Sequence, residues 1–325
     1  MEVNGIPLHL RERVPLVKPE WLELYRFMGE HPHAPYWNTQ CGDRLYPEDL
    51  ESVRNYALAL ETRPVYGKIP PASIIEWCRA LAPRSAFFKQ RLDGINIDKN
   101  WHEIRPMTRM EMQSKLEYIV PSDADLSRLV INPTSGTTGH PIPAPNHPAA
   151  VGCYDPLIQY ALRMNGLRES CSGRRVAAIQ ICAQNKTITY HTVHSYMDGA
   201  GFAKVNLRDW LGKSPSLYMN AMQPVFLSGD PYAFIEYINA GIDYRPHAIL
   251  STALTLEPAV RQKLGDYFRC PVTDMYSLNE TGPVAYSCPD DPRKFHLLPH
   301  DIFVEILDDS GAPLPATLAD GRLTF

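Results

Sequence analysis

The chain has 325 residues, 44% hydrophobic and 21% charged, which is the composition of an ordinary folded protein with a large core. A net charge of −4 excludes the basic field that nucleic acid requires, and no apolar run reaches membrane-spanning length. The first residues lack the apolar core of a signal peptide and the seven cysteines are scattered. We therefore expect a cytoplasmic, reducing environment and neither nucleic-acid nor membrane partners.

The N-terminal part carries helical signals separated by proline-rich connections. Apolar residues recur at helical spacing in Pro19–Met28 and in Pro47–Leu60, and Pro71–Leu92 predicts one or two further helices. We expect residues 1–79 to form a helical and irregular segment that packs on a core spanning residues 80–325.

The core begins with a marked helix start. Thr108 is followed three residues later by Glu111, which completes a capping box and predicts a helix that runs to about Tyr118. Arg128–Asn132 predicts a short strand, and apolar spacing in Asn146–Asn165 predicts a helix.

The second half of the chain alternates between strand and helix signals. Strands are predicted at Arg175–Cys182, His247–Ser251, Val272–Tyr276, Ile302–Leu307 and Arg322–Phe325. Helices are predicted at Pro231–Ala240, which ends at Gly241, and at Leu256–Phe268. This alternation predicts an α/β fold with a parallel sheet flanked by helices.

A dense run of hydroxyl and glycine residues follows the strand at Arg128–Asn132. Thr134–Pro141 reads Thr-Ser-Gly-Thr-Thr-Gly-His-Pro. Glycine lets the backbone approach a ligand closely, and hydroxyls with successive backbone N–H groups donate hydrogen bonds to oxyanions. The run favours a polyphosphate site over the alternative of an exposed polar turn. It is not a Walker loop, because no Gly-Lys-Ser/Thr follows.

Two further loops follow predicted strands and should lie at the same edge of the sheet. The first is Ser251-Thr252-Ala253, and the second runs from Asp274 through Tyr276 to Gly282. With the Thr134–Pro141 run they supply hydroxyls for phosphates, an aromatic face for a base and a carboxylate for Mg²⁺. The three loops therefore predict an ATP site without a Walker motif.

These motifs together resemble the adenylate-forming superfamily of acyl-CoA synthetases, adenylation domains and luciferases. Thr134–Pro141 is similar to its phosphate loop, and Tyr276–Glu280 is similar to its Tyr-Gly-x-Thr/Ser-Glu motif. Pro106-x-Thr108-x-x-Glu111, and the segment from Cys288 through His296 to Glu305, resemble the phenylacetate–CoA ligase branch. The resemblance covers about residues 80–325 and implies the large N-terminal domain of such an enzyme.

The resemblance assigns nucleotide and metal roles to the three loops. The implied ATP or AMP contacts are Thr134, Ser135, Gly136, Thr137, Thr138, Gly139, Ser251, Thr252, Ala253, Asp274, Tyr276, Ser277, Asn279 and Glu280. In this assignment Tyr276 stacks on the adenine, Asp274 lies near its amino edge and Glu280 coordinates Mg²⁺.

The resemblance also implies an acyl pocket. It would be walled by the loop and helix at His191–Lys204, with candidate contacts at His191, His194, Tyr196, Gly199, Gly201 and Tyr276. Glu280, Thr137 and His191 are the implied catalytic residues. Members of the branch can carry zinc on a first half-site that corresponds to Cys288 and His296, for which a surface thiol and a structural histidine are the alternative.

Several positions depart from the family pattern. The lysine that normally stands near the end of the phosphate loop is replaced by His140 and Ile142, and the motif glycine is Ser277. Past Phe325 the family would continue to a ribose-binding Gly-Asp motif and to a small C-terminal domain with a catalytic lysine. We expect the chain to lack both, as a shortened or degenerate member.

The predicted function is ATP-dependent activation of an aromatic or heteroaromatic carboxylic acid to an acyl-adenylate, as in specialised metabolism. The acyl group would pass to coenzyme A or, alternatively, to a carrier protein or an amine. The competing prediction is a relative that binds acid or nucleotide without full ligase activity. The sequence leaves open whether the chain forms a homodimer.

Overall fold

The computed structural model describes residues 2–3, 5–62, 69–133, 142–305, 307–308 and 322–323. The predicted phosphate loop lies outside the described residues, and so do its expected phosphate contacts Thr134, Ser135, Gly136, Thr137, Thr138 and Gly139. None of the helices in the described ranges is long and apolar enough to cross a membrane.

Twelve α-helices occur in the described parts of the chain. In order, α1 to α12 are Leu8–Arg13, Leu22–Glu30, Pro47–Ala59, Ala72–Leu81, Ala86–Leu92, Arg109–Ser114, Leu116–Ile119, Pro148–Gly152, Tyr154–Met164, Pro215–Met222, Pro231–Asn239 and Pro258–Phe268. Short 3-10 helices lie at Pro19–Trp21 and Trp101–Glu103.

Thirteen strands occur in the same described parts. In order, β1 to β13 are Glu2–Val3, Ile6–Pro7, Val130–Pro133, Pro143–Asn146, Val176–Cys182, Tyr190–His194, Ala200–Asn206, Phe226–Gly229, Ala248–Thr252, Val272–Leu278, Gly282–Ser287, Phe295–Leu297 and Arg322–Leu323.

Local sequence explains where several of these helices begin and end. The Asp230 side chain accepts a hydrogen bond from the Ala233 N–H at 2.8 Å and caps α11, which has Pro231 in its first turn. Gly241, with a φ of +66°, follows the end of that helix, as the sequence predicts. The capping box of Thr108 and Glu111 is also confirmed at the start of α6.

Nine of the described strands form one mixed sheet in the order β13-β12-β11-β10-β9-β8-β5-β7-β6. The five strands from β10 to β7 are mutually parallel, and the strands beyond them at both edges are antiparallel to their neighbours. This is the predicted α/β fold with a parallel sheet and flanking helices.

Two hydrophobic layers cover the sheet. One face packs against α2, α10, α11 and α12, and its core includes Met28, Tyr218, Phe234 and Phe268. We call it the α12 face. The other face packs against α9 and the end of α3, and its core includes Leu157, Leu162 and Leu60. We call it the α9 face. Because strand side chains alternate, each strand contributes to both layers.

The structure corrects the prediction that His191–Lys204 forms a loop and a helix. This segment is an antiparallel hairpin of β6 and β7. Asp198 and Gly199 in its turn have φ values of +50° and +80°. An Asp-Gly pair adopts such left-handed conformations readily and favours a tight hairpin over a helix. Thr192 and Val193 are β-branched and suit the strand.

Other differences are smaller. The predicted helix Asn146–Asn165 divides at Cys153 into α8 and α9, and the predicted strand Ile302–Leu307 is not a strand over the described residues 302–305. Strands β8, β11 and β12 and helix α10 are not among the predicted elements. Their segments are short, and short apolar runs carry little periodicity.

Candidate active site

Two cavities adjoin at the carboxyl ends of β9 and β10, the edge where parallel α/β sheets bind ligands. The large cavity has a volume of about 810 Å³ and lies beside the start of α12. The small cavity has a volume of about 230 Å³ and lies on the α9 face. Met275, Ser277 and Leu278 line both cavities. Ligands held in the two would therefore meet at the end of β10.

The alternation of side chains along β9 and β10 separates the two cavities. Asp274 and Tyr276 line the large cavity, and Tyr276 is 52% exposed, so its ring is open to a ligand. Thr252 lines the small cavity, and its Oγ1 lies 3.0 Å from Ser277 Oγ. Ala253 follows with a φ of +72° and lines the large cavity. The predicted motif residues thus divide between two neighbouring spaces.

Charged groups form one wall of the large cavity. Burial raises the pKa of Asp274, and the guanidinium of Arg261 opposes this shift. Arg261 is held in place because it donates to the Val272 carbonyl and to Ser287 Oγ. The Asp274 N–H also donates to Ser287 Oγ at 2.9 Å. The carboxylate and the guanidinium are therefore fixed polar groups in the wall of a nucleotide-sized space.

Strand β4, which follows the predicted phosphate loop in the sequence, contacts the Tyr276–Glu280 motif. Pro133 pairs with Pro143 at the end of the β3–β4 ladder, next to the segment 134–141. Asn146 Nδ2 donates to the Asn279 carbonyl at 3.2 Å. Strand β4 is therefore next to the Tyr276–Glu280 motif.

Tyr154 and Gly282 form the mouth of the small cavity. Gly282 has a φ of +77°, and a Cβ at this position would lie 2.2 Å from Tyr154 Cε1. Burial raises the pKa of Tyr154 to about 12, and the charges of Cys153 and Glu280 add to this effect. Glu280 is exposed and lines neither cavity, but its charge acts on Tyr154 at the mouth.

His194 contacts two residues that line the small cavity. Its Nδ1 lies 2.8 Å from Asp155 Oδ2, and its ring stacks on Phe202 with centroids 5.2 Å apart. Burial lowers the pKa of His194, but the carboxylates of Asp155 and Asp43 outweigh burial and raise it overall. Asp155 is therefore held by a histidine at the wall of the cavity.

Three other residues of the predicted acyl pocket lie on the opposite face of the sheet. The His191 ring packs against Tyr25 and Trp37, with centroids 4.5 Å and 4.9 Å apart. A Cβ on Gly199 would lie 2.3 Å from the Trp21 ring, and a Cβ on Gly201 would lie 2.4 Å from Met28 Sδ. The structure therefore does not bring His191, Gly199 and Gly201 to either cavity.

Two further predicted contacts are also away from the cavities. Ser251 is fully buried, and Tyr196 packs against the hydrophobic layer of the α9 face. No further ligands for the hypothetical zinc site are found: no cluster of three metal-ligating side chains occurs within the described ranges. Cys288 is buried, and the His296 ring stacks on Tyr286.

The sequence analysis missed the polar residues that line the small cavity, namely Asp155, Gln159, Gln180 and Ser228. Asp155 and Gln159 lie one turn apart on α9, so they share a helix face. The sequence did contain one signal for these residues, which is a polar pair at this spacing in a helix that packs on the sheet. Gln180 and Ser228 face each other on adjacent strands, which the sequence alone did not indicate.

Solved structures share this fold. An open conformation of 2-hydroxyisobutyryl-CoA ligase, in complex with 2-HIB-AMP and CoA, matches with a TM-score of 0.53 at 11% identity. The match covers 74% of this chain and 60% of the ligase. No family model matches the sequence, and no curated protein matches it either.

Two other solved structures match more weakly. ATP-bound MatB from Rhodopseudomonas palustris matches with a TM-score of 0.41 at 16% identity over 57% of this chain and 37% of MatB. VinN matches with a TM-score of 0.40 at 15% identity over 84% of this chain and 64% of VinN. The chain thus spans less than two thirds of each of these proteins. Over the matched part it has the fold of 2-hydroxyisobutyryl-CoA ligase.

Proposed function

We propose that the protein binds MgATP and a small aryl carboxylic acid and joins the acid to the AMP part of ATP as an acyl-adenylate, with release of pyrophosphate. The observation that carries this proposal is the pair of adjoining cavities, which share Met275, Ser277 and Leu278. An acid carboxylate in the small cavity would point toward an α-phosphate at this shared boundary. Catalysis would then consist mainly of placing two anions in line and neutralising the charge between them.

The large cavity supports nucleotide binding by its size and lining. Its volume of about 810 Å³ lies within the range of ligand pockets. The exposed ring of Tyr276 offers a stacking surface for a purine, and the Asp274 carboxylate accepts hydrogen bonds from an exocyclic amine. Ala253 and Thr255 complete the wall beside them.

Magnesium and phosphate contacts would come from the loops at the rim. Glu280 is an exposed carboxylate next to the mouth of the small cavity, and such an oxygen ligand suits Mg²⁺. When bound, the ion would neutralise phosphate charge. The proposed phosphate contacts in Thr134–Gly139 follow β3, whose neighbour β4 contacts the motif through Asn146 and Asn279.

The small cavity supports an acid with a single ring. Its volume of about 230 Å³ corresponds to roughly eight water-sized groups. Phe202, Phe226 and Met275 offer apolar surface for a flat ring, whereas Thr252 and Ser277 supply hydroxyls at the boundary with the large cavity. We therefore assign the acid to this space rather than to the opposite side of the β6–β7 hairpin.

Exchange of labelled pyrophosphate into ATP tests the proposal directly. We expect exchange that depends on both Mg²⁺ and an aryl acid, and Tyr276→Ala should weaken ATP binding by about tenfold through loss of stacking. Tyr232→Ala, an exposed tyrosine on α11, is the matched control. Absence of both ATP binding and exchange with every aryl acid would refute the proposal.

One observation favours a second candidate, a relative that binds acid and nucleotide without turnover. Ile142 is buried, with 2% exposure, near the position where the family pattern carries a lysine for the phosphates. ATP and acid binding by calorimetry, without any pyrophosphate exchange, would support this candidate. Exchange followed by transfer to coenzyme A, to a carrier-protein thiol or to an amine would identify the acceptor.

A further inference from the structure

Helix α9 presents a polar pair to the small cavity. Asp155 and Gln159 both line it and are four residues apart, so their Cβ atoms lie about 5–6 Å from each other on one helix face. The rest of the helix face is apolar and packs on the sheet through Leu157, Ala161 and Leu162. Placing an acid and an amide among such neighbours has a desolvation cost unless both are hydrogen-bonded.

The two side chains differ in what the protein supplies to them. Asp155 Oδ2 is paired with His194 Nδ1 at 2.8 Å. Gln159 Nε2 is buried and has no hydrogen-bond partner among the described residues. Burial of an amide donor without an acceptor is unfavourable, and native proteins leave few such groups. The small cavity therefore offers a donor that a ligand can satisfy.

We propose that the acid bound in the small cavity carries a hydroxyl group that lies between Asp155 and Gln159. The hydroxyl oxygen accepts a hydrogen bond from Gln159 Nε2, and its proton is donated to the Asp155 carboxylate. A hydroxyl is the small group that both accepts and donates, which matches an amide donor and a carboxylate one helical turn apart. This inference rests on the proposed function, because it assigns the small cavity to the acid.

Other substituents satisfy one partner and not the other. A methoxy group accepts from Gln159 but cannot donate to Asp155. An aryl amino group donates to Asp155, but its lone pair is delocalised into the ring, so it leaves the Gln159 amide without a good acceptor. An unsubstituted ring forms a hydrogen bond with neither Gln159 nor Asp155. The structure therefore orders the substituents, and a site that hydrogen-bonds a hydroxyl discriminates strongly against analogues that lack it.

His194 acts as the positioning residue for the carboxylate. Its ring is itself fixed by stacking on Phe202, and its contact with Oδ2 leaves Asp155 Oδ1 for a ligand. Burial lowers the pKa of His194, but the carboxylates of Asp155 and Asp43 raise it overall and so favour the protonated ring beside Asp155.

Calorimetric titration of the full chain with matched acids, in the presence of saturating MgATP, tests this inference. The probes are meta- and para-hydroxybenzoate, the corresponding methoxybenzoates and aminobenzoates, and benzoate. We expect at least one hydroxybenzoate to bind about tenfold tighter than benzoate and than its methoxy and amino counterparts.

The variant Gln159→Met keeps the length of the side chain and removes the amide. It should weaken hydroxybenzoate binding about tenfold relative to benzoate binding. Gln113→Met, at an exposed position of α6, is the matched control and should change neither. Asp155→Asn is a second variant, and it should also reduce the preference for hydroxybenzoate.

The outcomes separate this inference from the proposed function. Equal binding of benzoate and the hydroxybenzoates, or an unchanged preference in Gln159→Met, overturns the hydroxyl assignment while leaving adenylate formation intact. If neither MgATP nor any of the acids binds, the proposed function fails and this inference fails with it.

Discussion

The two faces of strand β6 use the same residue type in opposite ways. His191 lies on the α12 face between the rings of Tyr25 and Trp37, where burial lowers its pKa to about 4, with the charge of His9 adding to the shift. His194, three residues later, lies on the α9 face against Asp155, and its pKa is raised. The surroundings of His191 favour its neutral ring within a packed layer, whereas those of His194 favour the protonated ring at the wall of a cavity.

Two glycines at different places in the sheet follow the same division. Gly199 makes room for Trp21 on the N-terminal segment, and Gly282 makes room for Tyr154 at the small cavity. In sequence, a glycine required by packing and a glycine at a ligand site are indistinguishable. The difference teaches that the identity of the neighbour, and not the residue type, decides which role a position has.

The largest effect is expected for Gly199→Ala. Its φ of +80° strains a residue with a Cβ, and the added atom would lie 2.3 Å from the ring of the buried Trp21. We expect the free energy of unfolding to fall by about 3 kcal/mol, as strain and overpacking combine. Urea denaturation measures this loss, and acid affinity of the folded protein should be unchanged.

Gly212→Ala is the matched control for this substitution. It has the same φ of +80° and nothing within 4 Å of an added Cβ, so it carries the backbone strain alone, about 1–2 kcal/mol. Equal losses in the two variants would show that the contact with Trp21 contributes nothing.

A smaller loss of stability is expected for Gly282→Ala on the α9 face. The added Cβ meets the far end of the Tyr154 ring, which is half-buried and can rotate away. We expect about 2 kcal/mol less stability, again from strain and overpacking. The displaced ring should enter the small cavity and weaken acid binding about tenfold. Calorimetry that finds unaltered acid affinity would exclude Tyr154 from the mouth of the site.

The smallest effect, counted per pH unit, is a pH dependence of opposite sign for the two histidines. Because the folded-state pKa of His191 is lowered, its contribution to the free energy of unfolding is complete above pH about 6.5. This contribution is lost as the pH falls toward about 4. His194 has a raised pKa, so its contribution is complete below pH about 6.5 and is lost as the pH rises through the folded-state value. For each histidine, the free energy of unfolding changes by at most about 1.4 kcal/mol per pH unit.

Thermal melts across this range separate the two contributions. His191→Phe should flatten the acidic side of the Tm profile, and His194→Gln should flatten the alkaline side. A profile that responds to the two substitutions in the same way would contradict the difference between the two faces.

Much of the fold could be predicted because its signals are local. The capping box at Thr108, the Pro231 helix start and the Gly241 stop depend on hydrogen bonds within one turn of chain. The buried strand at Arg175–Cys182 has a continuous apolar run. The hairpin at Tyr190–Asn206 was missed because resemblance implied a helix there, against the β-branched residues and the Asp-Gly turn.

The candidate site could be predicted only along the strands that carry its motifs. Asp274, Tyr276 and Ser277 do line cavities at the strand ends, since the carboxyl ends of parallel strands meet at one edge. Asp155 and Gln159 come from a helix more than 100 residues earlier in the chain, and no local pattern relates them to β10.

The amino-acid sequence by itself determined the alternation of strands and helices, the caps and the motif loops, because each depends on residues close together in the chain. Only the tertiary structure decided which face of the sheet each side chain meets. Packing of α2 turned His191, Gly199 and Gly201 toward the N-terminal segment, while packing of α9 brought Asp155 and Gln159 to the small cavity. A period of two along a strand specifies that neighbours alternate, but the partner that covers each face depends on helices distant in sequence.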